Sequence, residues 1–363
     1  MPRLERIHIA GYKSIRDWTI ELGPLNVLIG ANGAGKSNFI GAFRLLNEIV
    51  ENNLQVFVGR SGGADQLLHF GRKVTDGIAF NLDWKNNSYS CRLVPTTNDR
   101  LIFETESISG QGVGYNRPYS VSLSGGQEET KLHKEIESGG RIASYVLAAL
   151  RSWRIYHFHD TSASAKVKQT GDLADNLSLR PDGGNLAAFL YRLFKTEPAV
   201  FRSIEDTVRM VAPFFGRFNL HPDRLNPSKI RLEWQEKGSD TYFDANALSD
   251  GTLRVISLAT LLLQPQLPTT VLIDEPELGL HPYAITVLAG LFRAAATRTQ
   301  LVVSTQSVTL VNQLSPEEII VVDRNDGEST FRRLTEEEIA GWIDDYALGE
   351  LWEKNVIGGR PTP

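Results

Sequence analysis

A chain of 363 residues, 41% of them hydrophobic, can bury a full α/β core and one further module, and its formal charge of −5 gives no long-range pull toward a polyanion. The single cysteine, Cys91, excludes an internal disulfide framework and a cysteine-based zinc cluster, and it fits a reducing compartment as a small buried hydrophobe. No apolar segment of signal type opens the sequence, and the longest apolar run, Val255 to Leu263, is too short for a bilayer, so a cytoplasmic protein without a membrane partner is expected.

Leu4, Ile7 and Ile9 mark a first strand, Trp18 to Leu22 a second one antiparallel to it, and Leu25 to Ile29 a buried strand that runs straight into a glycine-rich loop. Phe39, Ile40, Phe43, Leu45, Leu46 and Ile49 then recur at helical spacing, which predicts an amphipathic helix of about four turns. Short alternating runs from Asp76 to Ile108 predict an antiparallel layer, and the glycine- and serine-rich stretch Gly110 to Gly126 a surface loop. Helical patterns cover Ile142 to Trp153 and Asn185 to Val211, the second broken at Pro198, and this middle stretch reads as an insertion. The last third returns to α/β order: a helix Thr252 to Leu263, a buried strand Thr270 to Asp274, a helix after Pro282 and a strand Leu301 to Thr305. A hairpin follows, pairing Ile319 to Val322 with Thr330 to Leu334 through Asn325-Asp326-Gly327. No repeat and no sustained heptad pattern is present, which excludes a long coiled coil. The expected division is an N-terminal lobe with the loop (1–75), a β layer with helical insertion (76–240), a C-terminal lobe (241–334) and a helical tail (335–363).

GANGAGKS, Gly30 to Ser37, matches G-x-x-x-x-G-K-[ST] between a strand and a helix. Gly30, Gly33 and Gly35, with Ala34 among them, let the backbone curl so that its N–H groups face phosphates, and the helix N-terminus adds positive potential. Lys36 would reach the β- and γ-phosphates, the Ser37 hydroxyl would ligate Mg²⁺, and Asn38 closes the nucleotide-contacting run, so ATP and Mg²⁺ are the expected ligands. In TTVLIDEPELGLHP a buried strand ends in Asp274 and Glu275, which places both carboxylates at the carboxyl edge of a sheet. Asp274 is expected to hold Mg²⁺ from its outer coordination sphere. Glu275 is expected to polarise the attacking water, because in-line phosphoryl transfer needs a positioned nucleophile and neutralised charge.

GANGAGKSN, LSDGTLR, IDEPELGLHP and STQS, with IHIAGYKSI near the start and YALGELWEKNVIGGRP near the end, together resemble the stand-alone ABC-class ATPases of the AAA family related to the RecF, SMC and OLD ATPase heads. The resemblance spans nearly the whole chain. It implies an α/β fold, an ABC-type P-loop head with an antiparallel β layer and a helical insertion, and a homodimer closed by ATP, with higher oligomers open. The literal signature string LSGGQ at Leu123 to Gln127 is then out of place, because a working signature opens the helix that leads into the Asp274 strand. LSDGT at Leu248 to Thr252 does so, and Ser249 and Gly251 would face the γ-phosphate bound to a second protomer. Taken alone, Ser249 is an ordinary helix N-cap. Gln306 stands where such ATPases usually carry a switch histidine; it can donate a hydrogen bond but cannot titrate near neutrality, so any part in hydrolysis is by orientation. The resemblance puts Lys13 on the strand pair approaching the nucleotide and Asn32 against the γ-phosphate, with Gln66 and His69 as candidates for the glutamine-loop residue.

Nothing after Val322 resembles the nuclease domain fused to OLD ATPases, so an effector is expected to be a separate protein. The expected function is Mg²⁺-dependent ATP binding and hydrolysis, with ATP-driven dimerisation switching a partner in bacterial phage defence or DNA maintenance. The alternative is an ATP-gated assembly scaffold with little hydrolysis; a transporter subunit is a distant third. Three further clusters have ordinary explanations. His157, His159 and Asp160 read as a hydrogen-bonded strand end rather than a metal site. Arg151, Arg154, Lys166, Lys168, Lys13 and Arg16 read as a solvated surface rather than a nucleic-acid groove, leaving nucleic acid an open partner. Trp342, Tyr346 and Trp352 read as core packing.

Overall fold

Parallel strands covered on both faces need apolar side chains at every position, and alternating ones need a single covered face. Both patterns occur in the computed structural model, which describes residues 3–111, 119–123, 125–342 and 345–360. Its chain divides into two units, one of Met1–Trp153, Pro268–Thr270 and Ser315–Pro363, the other of Arg154–Leu267 and Val271–Leu314.

In the first unit an antiparallel sheet has the order Ile15–Glu21, Leu4–Tyr12, Ile78–Trp84, Asn87–Pro95, Leu101–Gly110, Tyr119–Ser122. The expected loop after Gly110 therefore contains an edge strand, Tyr119–Ser122, which pairs Ile108 with Val121; residues 112–118, in the same stretch, lie outside the described residues. Against this layer stands a second group of strands in the order Glu328–Arg333, Ile319–Asn325, Leu25–Ile29. The last pair is parallel, Ile319 opposite Val27, and all five residues of Leu25–Ile29 are buried. The helix Lys36–Val50 buries Phe39, Phe43 and Leu46 on one face, with the Phe43 and Trp153 ring centroids 4.9 Å apart and those of Phe39 and Phe331 5.5 Å apart.

In the second unit the strands Gln300–Thr305 and Thr270–Asp274 are neighbours, and Trp153–Tyr156 flanks the latter. Helix Pro282–Ala296 packs on Gln300–Thr305 and against helix Asp250–Leu263. Pro198 sits at the first position of the helix Pro198–Val211, where its missing N–H costs nothing, and so separates it from Leu186–Thr196. A small sheet, Phe215–Asn219, Glu233–Glu236 and Tyr242–Asp244, was not expected; its short strands carry Arg, Asn, Gln and Glu and leave no alternation to read. The tail carries the short helices Glu336–Ile339 and Leu348–Glu353; of the aromatics expected in the core, Trp352 is buried, whereas Trp342 is 45% exposed. No helix among the described residues is long and apolar enough to cross a membrane.

Candidate functional site

Strand Leu25–Ile29 ends at Gly30, whose Cα is so close to the Val322 carbonyl that an added Cβ would overlap it. Gly33 and Gly35 adopt φ of 79° and 121°, conformations that side chains oppose. Behind Gly35 sits Ser329, fully buried, its Oγ 2.5 Å from the Ala34 carbonyl oxygen and 2.6 Å from Ser14 Oγ, to which Asn38 Nδ2 donates at 2.7 Å. Arg324 Nη1 donates to the Gly33 carbonyl at 3.0 Å. The loop is thus shaped from outside by the hairpin Ile319–Arg333.

Lys36 opens the helix and is buried, its ammonium donating to the Gly30 carbonyl at 2.6 Å and the Ala31 carbonyl at 3.0 Å. A buried ammonium held by the loop's own carbonyls at the start of a helix suits a phosphate group in its chemistry. Ser37 stands beside it in the first helical turn. The tail closes on the same loop: Gly359 N donates to Asp323 Oδ1 at 2.7 Å, and Arg360 shares a cavity of about 230 Å³ with Ala31, Asn32, Gly33 and Ala34.

Lys13 turns the first hairpin with φ 49°, its N–H donating to Leu67 O at 2.9 Å and its carbonyl receiving His69 Nδ1–H at 2.6 Å. Burial lowers the Lys13 ammonium pKa below its usual range. Lys13, Ser14, Asn38, Gln66, Phe70 and Arg324 line a cleft of about 640 Å³. Of the two glutamine-loop candidates, Gln66 lines this cleft, whereas the buried His69 ring is occupied with the Lys13 carbonyl.

In the second unit Ser304 Oγ donates to Asp274 Oδ1, and Gln306 Nε2 donates to Glu275 Oε1. Glu275 has φ 42°, a left-handed backbone rare for its side chain, and its N–H is tied to the Ser304 carbonyl at 3.0 Å. Strain at the second carboxylate of the pair is therefore held by the neighbouring strand. Gln306 and Glu275, named separately from the sequence, meet directly. Two contributors were missed. Ser304 was visible inside STQS without a role, and Glu277 was visible in DEPE; its Oε1 accepts from Thr305 Oγ1 at 2.6 Å and from Gln306 N at 3.0 Å.

Ser249 caps the helix Asp250–Leu263, its Oγ receiving the Thr252 N–H at 3.2 Å. A Cβ on Gly251 would come within 2.7 Å of the Gly279 carbonyl oxygen, so this loop lies directly on the turn that follows the acidic pair. Arg254, one turn on and buried, donates to the Phe158 carbonyl at 3.0 Å and the His159 carbonyl at 3.3 Å. His159 Nε2–H in turn donates to the Asp274 carbonyl at 2.7 Å, which fixes its tautomer and gives the YHFHD stretch a structural task. A chain of contacts therefore runs from the Ser249 helix to Asp274.

The other string, LSGGQ, opens no helix: Leu123 N donates to the Glu106 carbonyl at 2.8 Å and Gly126 N to the Phe103 carbonyl at 2.6 Å, pinning it to a strand, while its Ser124 lies outside the described residues. Among the basic residues, Arg16 pairs with Glu328, Arg151 with Glu51 and Lys166 with Asp182. No group of three or more His, Cys, Asp or Glu able to hold a metal occurs among the described residues.

Residues 25–312 match the family model described as "AAA domain, putative AbiEii toxin, Type IV TA system". The chain is 23% identical over 390 residues to the OLD nuclease of Thermus scotoductus (strain ATCC 700910 / SA-01), covering 98% of this chain and 68% of that protein. Among solved structures it is similar to an SMC head bound to the C-winged helix domain of ScpA, with TM-score 0.64, 16% identity, and 94% of this chain and 100% of that chain covered. It is also similar to the SMC head with extended coiled coil bound to the C-terminal domain of ScpA from Pyrococcus furiosus, with TM-score 0.58, 15% identity, and 95% and 99% covered. These similarities show the fold, an ABC-type ATPase head.

Proposed function

The chain belongs to this AAA-domain family, within the ABC-class ATPases related to RecF, SMC and OLD, and from that premise we propose that it is an Mg²⁺-dependent ATPase whose ATP-closed dimer switches a separate partner protein. The observation that carries the enzymatic reading is the Gln306 amide seated on Glu275, a carboxylate held at a strained backbone position. A glutamine there orients the carboxylate without competing for its proton.

In this reading Lys36 and the N–H groups of Gly33 to Ser37 bind and orient the phosphates, Ser37 would ligate Mg²⁺ with Asp274 in its outer coordination sphere, and Glu275 orients water for in-line attack. Mg²⁺ bound there would neutralise the charge that develops on the phosphoryl oxygens. Asn32 and Lys13 contribute further contacts to the nucleotide, and Ser249 and Gly251 serve the site of the second copy. The kinship with an OLD nuclease supports a setting in phage defence or DNA maintenance.

Phosphate release and nucleotide affinity test the proposal. Lys36→Ala should lose ATP binding and turnover together. Glu275→Gln should bind ATP, stop turning over, and shift to dimer in light scattering when ATP and Mg²⁺ are present. Normal phosphate release by Glu275→Gln would remove Glu275 from its role. Binding and dimerisation of the unaltered protein without any release that depends on Lys36 would instead establish the ATP-gated scaffold.

A further inference from the structure

Glu275 and Glu277 flank Pro276, whose ring fixes the backbone between them. Two carboxylates so close in sequence repel each other, yet both point at one residue. Gln306 gives its side-chain amide to Glu275 and its main-chain N–H to Glu277 at 3.0 Å. Its two ends are thereby fixed independently. Thr305 strengthens the second grip, donating its hydroxyl to the same Glu277 oxygen at 2.6 Å while accepting the Ser307 N–H at 3.0 Å.

We propose that Glu277 is a positioning residue for ATP hydrolysis: its carboxylate grips Thr305 and the Gln306 main chain and so keeps the Gln306 amide on Glu275. Three features support this over an incidental strand-end bond. Glu277 is largely withdrawn from water, and a buried carboxylate is retained at considerable cost unless its hydrogen bonds matter. Burial holds its carboxyl above the usual range, against the hydrogen bonds of Thr305 and Gln306 that lower it, with the like charge of Glu275 adding to the rise. Its other oxygen, Oε2, is buried with no partner among the described residues, so the geometry serves Oε1 at the expense of Oε2.

The inference rests on the reading of Glu275 as the residue that orients water, and the experiment keeps the two apart. Steady-state phosphate release is measured for the full chain carrying Glu277→Ala, Glu277→Gln, Gln306→Ala, and Glu277→Ala with Gln306→Ala, each checked by thermal melting. Glu277→Ala should lower kcat about tenfold or more while leaving KM for ATP within about twofold, because orientation and not ground-state binding is lost. Glu277→Gln keeps a carbonyl oxygen at the Oε1 position and should restore kcat to within about threefold of the unaltered protein. The double variant should be no slower than Gln306→Ala alone.

Wild-type kcat in Glu277→Ala or in Gln306→Ala overturns the inference, as does a double variant slowed by the product of the two factors, or a Glu277→Gln as slow as Glu277→Ala. Where Glu277→Ala does not fold, Glu277→Asp takes its place, since the shorter acid keeps the charge but cannot reach both donors. Full turnover by Glu275→Gln would strike the underlying reading; a Glu277→Ala with the kcat of the unaltered protein beside a dead Glu275→Gln strikes this inference alone.

Discussion

Gly35→Ala changes one hydrogen to a methyl group at the most confined point of the loop. The new Cβ would overlap Ser329 Oγ and come within 2.8 Å of Ser329 Cβ, and the backbone there has φ 121°. Holding alanine at such a φ costs about 1–2 kcal/mol, overpacking about 1–3, and displacing Ser329 from Ser14 and Ala34 about 1 for each hydrogen bond lost. Since relaxation relieves part of the clash, the net loss is about 3–5 kcal/mol. For a unit of about 200 residues that lowers the melting temperature by roughly 6 °C or more, readable by circular dichroism without nucleotide. Adding Ser329→Gly removes the two atoms nearest the methyl group and leaves only Ser14 Oγ at 3.1 Å, so the double variant should be more stable than the sum of the single losses by roughly 2 kcal/mol. A Gly35→Ala protein that melts within about 2 °C of the unaltered one, or a double variant whose losses simply add, would refute the argument that Ser329 shapes the loop.

Two further outcomes follow from buried titratable groups. Burial pushes the Cys91 thiol up to about 12, with the Glu106 charge adding to the rise, so the folded protein should resist iodoacetamide at pH 8 and become reactive only in denaturant; rapid native alkylation would contradict that packing. Glu277, raised above its ordinary 4.5 with Glu275 and Arg254 as its charged neighbours, stabilises fully below 4.5 and loses that contribution as pH rises through its elevated value. The melting temperature of Glu277→Gln relative to the unaltered protein should therefore climb between pH 4.5 and neutrality and then level off; a pH-independent difference would show that Glu277 titrates normally.

The elements built from local rules were legible. The glycine loop, its strand and its helix follow from spacing within a few residues, as do the buried strand ending in Asp274 and the Asn325-Asp326-Gly327 hairpin. What escaped the sequence depends on partners far apart in it. Nothing near Ser14 announces Ser329, and DEPE does not show that its second glutamate meets Thr305 and Gln306 at the end of strand Gln300–Thr305. Short polar strands such as Phe215–Asn219 were missed because they owe their pairing to neighbours rather than to alternation. LSGGQ illustrates the converse: a string with a familiar spelling is held along a strand, and the less familiar LSDGT caps a helix.

The hairpin behind the glycine loop also has a consequence for how the protein is made. Arg324 and Ser329 reach Gly33 and Ala34 across separations of 291 and 295 residues, so a ribosome working at about 5–20 residues per second emits the loop roughly 15–60 s before the residues that shape it. During that interval strand Leu25–Ile29 lacks its parallel neighbour and presents an apolar edge to chaperones and to other nascent chains. A chain stalled before Ser329 therefore carries the full Gly30 to Ser37 motif but not its mould.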